Sequence, residues 1–165
     1  MVIKKLIYGL AKLNPGIYIS IFFIAILLIQ LPFLFISTDS QNTSVVSIKN
    51  ELGLTGLFFI SVIIAPIFET LIYQVLIIEG FRYFLRKFIS LKFIFFFSTF
   101  ASSLAFSIDH LYSIYYFVAA FCTGFIFATL YHLSKLRKEP ALFYPLFLHS
   151  FWNLFVFFMS NILDL

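Results

Sequence analysis

Five long apolar runs constrain this sequence more than any other feature. They cover about residues 17–36, 56–80, 93–109, 113–133 and 141–161, with few charges inside them. A helix rises 1.5 Å per residue, so about 20 residues cross the roughly 30 Å of hydrocarbon in a bilayer. Inside the bilayer each backbone must satisfy its own hydrogen bonds, which favours helices. We therefore predict an all-α, polytopic membrane helical bundle with about five transmembrane helices, forming a single membrane domain over residues 1–165.

The composition supports a membrane protein and excludes several other classes. Apolar residues make up 62% of the 165 residues and charged residues only 11%, against roughly 25% charged residues in globular domains. Disordered chains are apolar-poor and charge-rich, so disorder is excluded. The net charge of +4 is small and lies in short clusters, so no nucleic-acid partner is expected. The single Cys122 excludes a disulfide within the chain and a zinc site built from several thiolates.

The charged clusters predict the topology. Basic residues gather in the segments 1–14, 81–92 and 134–140, which alternate with connections of low positive charge. Because short cytoplasmic loops are rich in Lys and Arg, we expect a cytoplasmic N-terminus and an external C-terminus. The small size and the absence of a soluble domain favour a bacterial plasma membrane as the surrounding bilayer. Residues 1–14 are predicted to form an interfacial segment, and the Ser-, Thr- and Asn-rich stretch 37–55 a loop. The oligomeric state is unknown at this stage.

Four polar side chains in or beside the spans are candidates for chemistry. Glu69 lies near the middle of the second run, where an ionisable group costs about 2.5–3.5 kcal/mol or more. His149 and Asn153 are four residues apart, so one helix face carries both, and His110 closes the third run. We interpret these groups as the parts of a hydrolytic site, in which Glu69 takes a proton from water, His110 orients that water or shares the proton, and His149 and Asn153 donate hydrogen bonds to the oxyanion.

The same residues admit other interpretations. Two imidazoles and a carboxylate can hold zinc, so Glu69, His110 and His149 are the ligands of a metal-dependent variant. The chain has no HExxH pair, however, and the water mechanism requires no cofactor. In a structural interpretation the polar groups only join the helices. In a third, they form the proton relay of a channel or transporter, although the chain shows no repeated halves.

The motifs around these residues resemble those of a known family. APIFETLIYQ at 65–74, FSIDH at 106–110 and HSFWN at 149–153 follow one another as do the motifs of the CAAX protease and bacteriocin-processing (CPBP, Abi) family of intramembrane proteases, which includes the type II CAAX prenyl endopeptidases. That family carries Glu-Glu-x-x-x-Arg, then Phe-x-x-x-His, then His-x-x-x-Asn or Asp. The resemblance extends over about residues 55–158.

The resemblance implies an intramembrane endopeptidase acting on a membrane-associated peptide or protein, of CAAX type, with a prenylated substrate, or of bacteriocin type. Glu69 matches the family's proposed general base, and His110, His149 and Asn153 match the other catalytic positions. Thr70 and Gln74 stand where the family has its second Glu and its Arg, so both members of a charge pair are lost together. The alternative is a proteolytically inactive membrane scaffold or bacteriocin-immunity protein.

The depth of these residues sets a condition on any common site. Along straight helices, Glu69 and Asn153 lie roughly 20 Å from the inner edge, His149 about 14 Å and His110 about 26 Å. These side chains converge only if a helix tilts, bends near Pro66, or ends early in the third span.

Overall fold

The computed structural model describes residues 9–10, 12–34 and 43–161, and this part of the chain contains helices and turns but no strand. Its helices are α1 (Pro15–Leu34), α2 (Thr43–Phe58), π1 (Phe59–Ile64), α3 (Ala65–Glu69), π2 (Thr70–Ile77), α4 (Ile78–Leu85), α5 (Leu91–Ile108), α6 (Ile114–Leu136) and α7 (Phe143–Asn161). Five helical stretches among the described residues are long and apolar enough to cross a membrane. The predicted all-α polytopic bundle is therefore confirmed.

The second span is longer than the sequence indicated. A helical stretch of 41 residues with a kink at Gly53 extends from Val45 to Leu85, whereas the apolar run predicted 56–80. The prediction of a loop over 37–55 is wrong from Thr43 onward, because α2 occupies that part. Gly53, at φ 68°, interrupts α2 in the left-handed region that glycine tolerates. Most of the predicted interfacial segment 1–14 lies outside the described residues.

The helix α6 forms the centre of the bundle. Half of the residues in its 18-residue apolar stretch are buried inside the protein, more than in any other span of the described chain. It packs against α5, α1, α7 and π2. The interface between α5 and α6 is built from small buried side chains, including Ser102, Ser103, Ala120 and Gly124. Small residues let two helix backbones approach closely, which is the usual basis of helix association in membranes.

Large apolar side chains cover the outside of the bundle. Leu28, Phe68 and Leu76 are each more than 60% exposed. In water such a surface would drive aggregation, whereas in a bilayer it contacts lipid chains. The exposed surface thus agrees with the hydropathy of the five spans.

An ionic cluster fastens the connection between α6 and α7 to the start of α1. Arg137 donates to the Leu13 carbonyl at 2.9 Å, and its guanidinium lies 4.8 Å from the centre of the Tyr18 ring. The same guanidinium lies 2.8 Å from the Glu139 carboxylate, which also accepts from the Tyr18 hydroxyl at 3.0 Å. These hydrogen bonds, that from Arg137 above all, hold the pKa of the Glu139 carboxyl below its ordinary value. Glu139 is thus charged and anchored at neutral pH.

The close approach of α5 and α6 predicts a site-specific effect of adding one methyl group. A Cβ at Gly124 would lie 3.1 Å from the Phe106 ring and 3.2 Å from the Ser103 Cα, whereas a Cβ at Gly80 would meet nothing within 4 Å. We expect overpacking to lower the free energy of unfolding of Gly124→Ala by about 1–3 kcal/mol relative to Gly80→Ala. Gly124→Ala should therefore unfold at the lower temperature. Both variants gain the same helix propensity, so thermal unfolding in detergent compares packing alone. Equal melting temperatures would contradict the tight interface.

Candidate active site

The helix that carries Glu69 is widened on both sides of it. The short α-helical segment α3, Ala65–Glu69, lies between π1 and π2, so the 3.6-residue period is broken twice within one span. Pro66 contributes to this break, because it has no N–H to donate and its ring crowds the preceding turn. π-Helical turns occur frequently at functional sites, where they redirect side chains. Here they determine which way Glu69 and Thr70 face.

The Glu69 carboxylate lies between two imidazoles. Its Oε2 atom is 3.4 Å from His149 Nε2 and 3.9 Å from His110 Nε2. This oxygen is shielded from solvent and has no hydrogen-bond partner within the described chain. Three predicted site residues from three parts of the fold, α3, α7 and the turn after α5, therefore meet at one point.

His149 is held by aromatic rings and by one hydroxyl. Its side chain is 3% exposed, and its ring stacks on Phe127 at a centroid distance of 4.6 Å and meets Phe106 edge-on at 5.7 Å. Its Nδ1 atom lies 3.4 Å from Thr70 Oγ1. An ionised carboxylate only accepts hydrogen bonds, so the ring proton belongs on the Nε2 that faces Glu69, and Nδ1 is left to accept from Thr70. This places a proton donor beside the carboxylate.

His110 lies just beyond α5, which ends at Ile108. Its Nδ1 is 2.7 Å from the Phe106 carbonyl, and because a carbonyl only accepts, Nδ1 carries the proton and the neutral ring's Nε2 is free to accept. Burial lowers the pKa of His110, against the opposing effects of the Phe106 hydrogen bond and the Asp109 charge. The side chain is 19% exposed. The neutral ring thus turns an acceptor toward Glu69.

A hydrogen bond that the sequence did not reveal supports this turn. Tyr73, on π2, donates its hydroxyl proton to the Asp109 carboxylate, and its ring meets Phe106 edge-on at 5.5 Å. Tyr73 follows Glu69 by four residues and Asp109 precedes His110, so the pair links the segments that carry the two site residues. The sequence places Tyr73 one turn after Glu69, which could have marked it as a neighbour of the site. Its partner Asp109 follows another helix, so residue spacing within one helix cannot identify the pair.

Asn153 lies one turn beyond His149 on α7 and contacts a different group. Its Nδ2 atom donates to the Ser61 carbonyl at 2.8 Å, in the π1 segment. This contact connects α7 to the second span, eight residues before Glu69. The structure therefore brings Glu69, His110 and His149 together, whereas the side-chain hydrogen bond of Asn153 goes to Ser61 and to none of these three residues.

A metal-dependent variant of the site would use the same cluster. Among the described residues, no group of three His, Cys, Asp or Glu side chains is arranged to hold a metal ion, even though the three zinc ligands considered from the sequence lie close together. The cluster consists of a carboxylate with one donor and one acceptor imidazole.

The chain matches a known protein family. The family model described as Type II CAAX prenyl endopeptidase Rce1-like matches residues 51–155, more than half of the chain. The chain belongs to this family. The match confirms the resemblance seen in the motifs, contains all four candidate site residues, and makes the chain a CAAX-type intramembrane protease in general terms. Neither a comparison with curated proteins nor one with solved structures found a significant match.

The environment of His110 predicts a pH-dependent stability. Since its pKa is lowered on folding, its stabilising effect is fully present above the unfolded value of about 6.5 and is lost as the pH falls through the folded value. The titratable side chains around the His110 ring are those of Glu69, His149, Asp109 and Tyr116. Between about pH 7.5 and about pH 5, the melting temperature should therefore fall further in the parent protein than in His110→Asn, which keeps those neighbours. If the melting temperatures of the two proteins fell equally between these pH values, His110 would not be the source of the pH dependence.

Proposed function

We propose that this membrane endopeptidase hydrolyses a peptide bond of a membrane-associated peptide or protein with a water molecule activated by Glu69. The observation that carries the proposal is the position of the Glu69 carboxylate, 3.4 Å and 3.9 Å from two imidazole nitrogens that come from other parts of the fold. A shielded carboxylate beside one proton donor and one acceptor is suited to general acid–base catalysis. The family supports this reaction class.

The first step uses the acceptor groups. A water molecule bound between Glu69 and His110 gives a proton to the carboxylate while its oxygen bonds to the scissile carbonyl carbon. His110 Nε2 accepts the water's other hydrogen bond and so fixes its orientation. The carbonyl π electrons move to the oxygen, giving a tetrahedral oxyanion. In the second step the C–N bond breaks, and the leaving amine takes the proton held by Glu69.

The donor groups stabilise the oxyanion. His149 Nε2–H faces the cluster, and the Asn153 amide has two N–H donors, of which the contact with Ser61 uses one. The second N–H of Asn153 is then available to the substrate. Each well-placed oxyanion donor contributes roughly 3–4 kcal/mol to such a transition state.

The route of the substrate follows from the position of His110. This residue lies in the turn between α5 and α6, at the opposite end of α5 from Lys92 and the basic connection 81–92. We infer that the scissile bond enters from that end of the bundle. With the basic clusters on the cytoplasmic side of a bacterial plasma membrane, this end faces the outer leaflet. An apolar group on the substrate, such as a prenyl chain, can remain in lipid during cleavage.

The alternative function is a proteolytically inactive membrane scaffold or immunity protein. The contact of Asn153 with Ser61 favours it, because a helix-joining role already accounts for that side chain. The replacement of the family's charge pair by Thr70 and Gln74 points the same way. In that case Glu69 contributes only to the stability of the bundle.

Replacing the proposed base separates these functions. Glu69→Gln is nearly isosteric and removes the proton acceptor, so we expect cleavage of a membrane peptide by purified protein to fall by at least about 100-fold. The matched control is Glu51→Gln, because Glu51 is an exposed carboxylate of α2 that accepts a hydrogen bond from Ser47 and lies outside the candidate site. Equal activity in the parent and in Glu69→Gln would exclude Glu69 as the base, and a loss of thermal stability without any cleavage in the parent would support the scaffold.

Metal removal tests the zinc variant separately. In the proposed mechanism Glu69 activates the water without a metal ion, so we expect activity to survive dialysis against a strong chelator. The measurement is the cleavage rate before and after chelation, and again after zinc is returned. Loss of activity on chelation together with recovery on adding zinc would show that Glu69, His110 and His149 serve as metal ligands instead.

A further inference from the structure

A cavity lies far from Glu69, at the end of the bundle that carries the basic clusters. It encloses about 430 Å³. One wall is apolar and includes Phe22, Ile94 and Phe95, while the other carries Arg82, Lys135 and Lys138. The combination of an apolar wall and several cations fits a ligand that is itself both apolar and anionic.

The cations of this cavity are only partly neutralised. Glu79 is the carboxylate next to them: one of its oxygens already accepts from Lys135 at 2.6 Å and from Tyr131 at 2.9 Å. Arg82 lies 4.0 Å from its other oxygen, too far for a hydrogen bond. The Lys138 ammonium has no ion pair within the described chain. Arg82 and Lys138 thus keep hydrogen-bond donors and positive charge for an anion.

The backbone of Lys138 is held in an unusual conformation. It has φ 59°, the left-handed region, and no other residue except glycine adopts a positive φ in the described chain. It ends α6 in a Schellman motif, in which Lys138 N–H donates to the Lys135 carbonyl and Glu139 N–H to the Ser134 carbonyl. Glycine is the usual residue at that position, since other residues are strained there. A lysine in this place is explained if its ammonium has a binding role.

Further polar groups line the cavity. The Thr129 hydroxyl oxygen is shielded from solvent and has no hydrogen-bond partner in the described part of the chain. His132 also lies in the wall, with Nε2 3.1 Å from the Ser98 hydroxyl. An unpartnered buried hydroxyl is unfavourable, and a ligand oxygen that reached Thr129 would give it a hydrogen-bond partner.

We propose that this cavity binds the phosphate of an anionic phospholipid headgroup, with an acyl chain lying along its apolar wall. Arg82, Lys138 and the Thr129 hydroxyl contact the phosphate oxygens. The headgroup region of a bilayer lies at the same level as the basic ends of the spans, which places this ligand beside the cavity.

The distance of this cavity from Glu69 favours a lipid over a substrate carboxylate as its ligand. Arg82 follows Glu69 by 13 residues of helix, which corresponds to roughly 15–20 Å. Three residues beyond a scissile bond extend at most about 10 Å. A substrate tail of that length would therefore not reach the Arg82 backbone while the scissile bond lies at Glu69. The lipid is the better match, independently of whether the protein cleaves peptides.

Thermal unfolding of the purified protein in neutral detergent tests the proposal. We expect phosphatidylglycerol to raise the melting temperature in a saturable way, and phosphatidylcholine and inorganic phosphate at equal concentration to leave it unchanged. Native mass spectrometry should show bound phosphatidylglycerol. Arg82→Gln should weaken its binding about five- to tenfold, roughly the effect of one basic residue near a membrane surface.

Lys138→Gly provides a variant with two opposite effects. Glycine relieves the left-handed strain, so the protein should be at least as stable without lipid, yet it should bind phosphatidylglycerol about five- to tenfold more weakly. A purely structural lysine would give only the first effect. The matched control is the double variant Lys87→Gln, Lys92→Gln, which removes two exposed cations of the same basic end that do not line the cavity.

Three results would overturn the proposal. An equal loss of binding in the Lys87, Lys92 double variant would show general attraction to basic charge and no site. An equal response to inorganic phosphate would make the cavity an anion site without lipid recognition. Displacement of phosphatidylglycerol by a short peptide with a free C-terminal carboxylate would assign the cavity to the substrate.

Discussion

The position of one carboxylate in the middle of an apolar span governs this structure. A charged group there is unfavourable by at least a few kcal/mol unless polar groups surround it. The fold meets this requirement with His149 from α7, His110 from the turn after α5 and the π-helical turns that direct Glu69 inward. The same arrangement that makes Glu69 tolerable in the bilayer brings a donor and an acceptor to it, which is what proton transfer requires.

Phe106 connects this cluster to the packing of the bundle. Its ring contacts Tyr73, His110 and His149, and it lies against the place where Gly124 lets α5 and α6 approach. Its carbonyl also sets the tautomer of His110. Packing and chemistry are thus coupled at one aromatic side chain, because a shift of α6 against α5 moves Phe106 and with it both imidazoles.

Hydropathy predicted the spans because each run of about 20 apolar residues decides its own structure. Residues 43–52 were missed because their polar side chains resemble a loop, whereas the helix continues through them to Gly53. The four site residues could be identified by type and order, but their convergence could not. Straight helices separated His110 from His149 by about 12 Å in depth, whereas in the structure the two imidazoles lie 3.9 Å and 3.4 Å from the same Glu69 oxygen. The bond between Tyr73 and Asp109 was likewise invisible, since it depends on how two helices pack.

The two departures from the family pattern are consistent with each other. Thr70 stands at the position of the second glutamate and turns its hydroxyl toward His149 Nδ1, so a neutral group holds that ring. Gln74 stands at the position of the arginine, is fully buried, and its amide has no hydrogen-bond partner among the described residues. An arginine in that pocket would need a carboxylate at position 70 to balance it, and breaking such a buried pair is unfavourable by about 3–5 kcal/mol. Replacing one member therefore requires replacing the other, which leaves Glu69 as the carboxylate that faces both imidazoles.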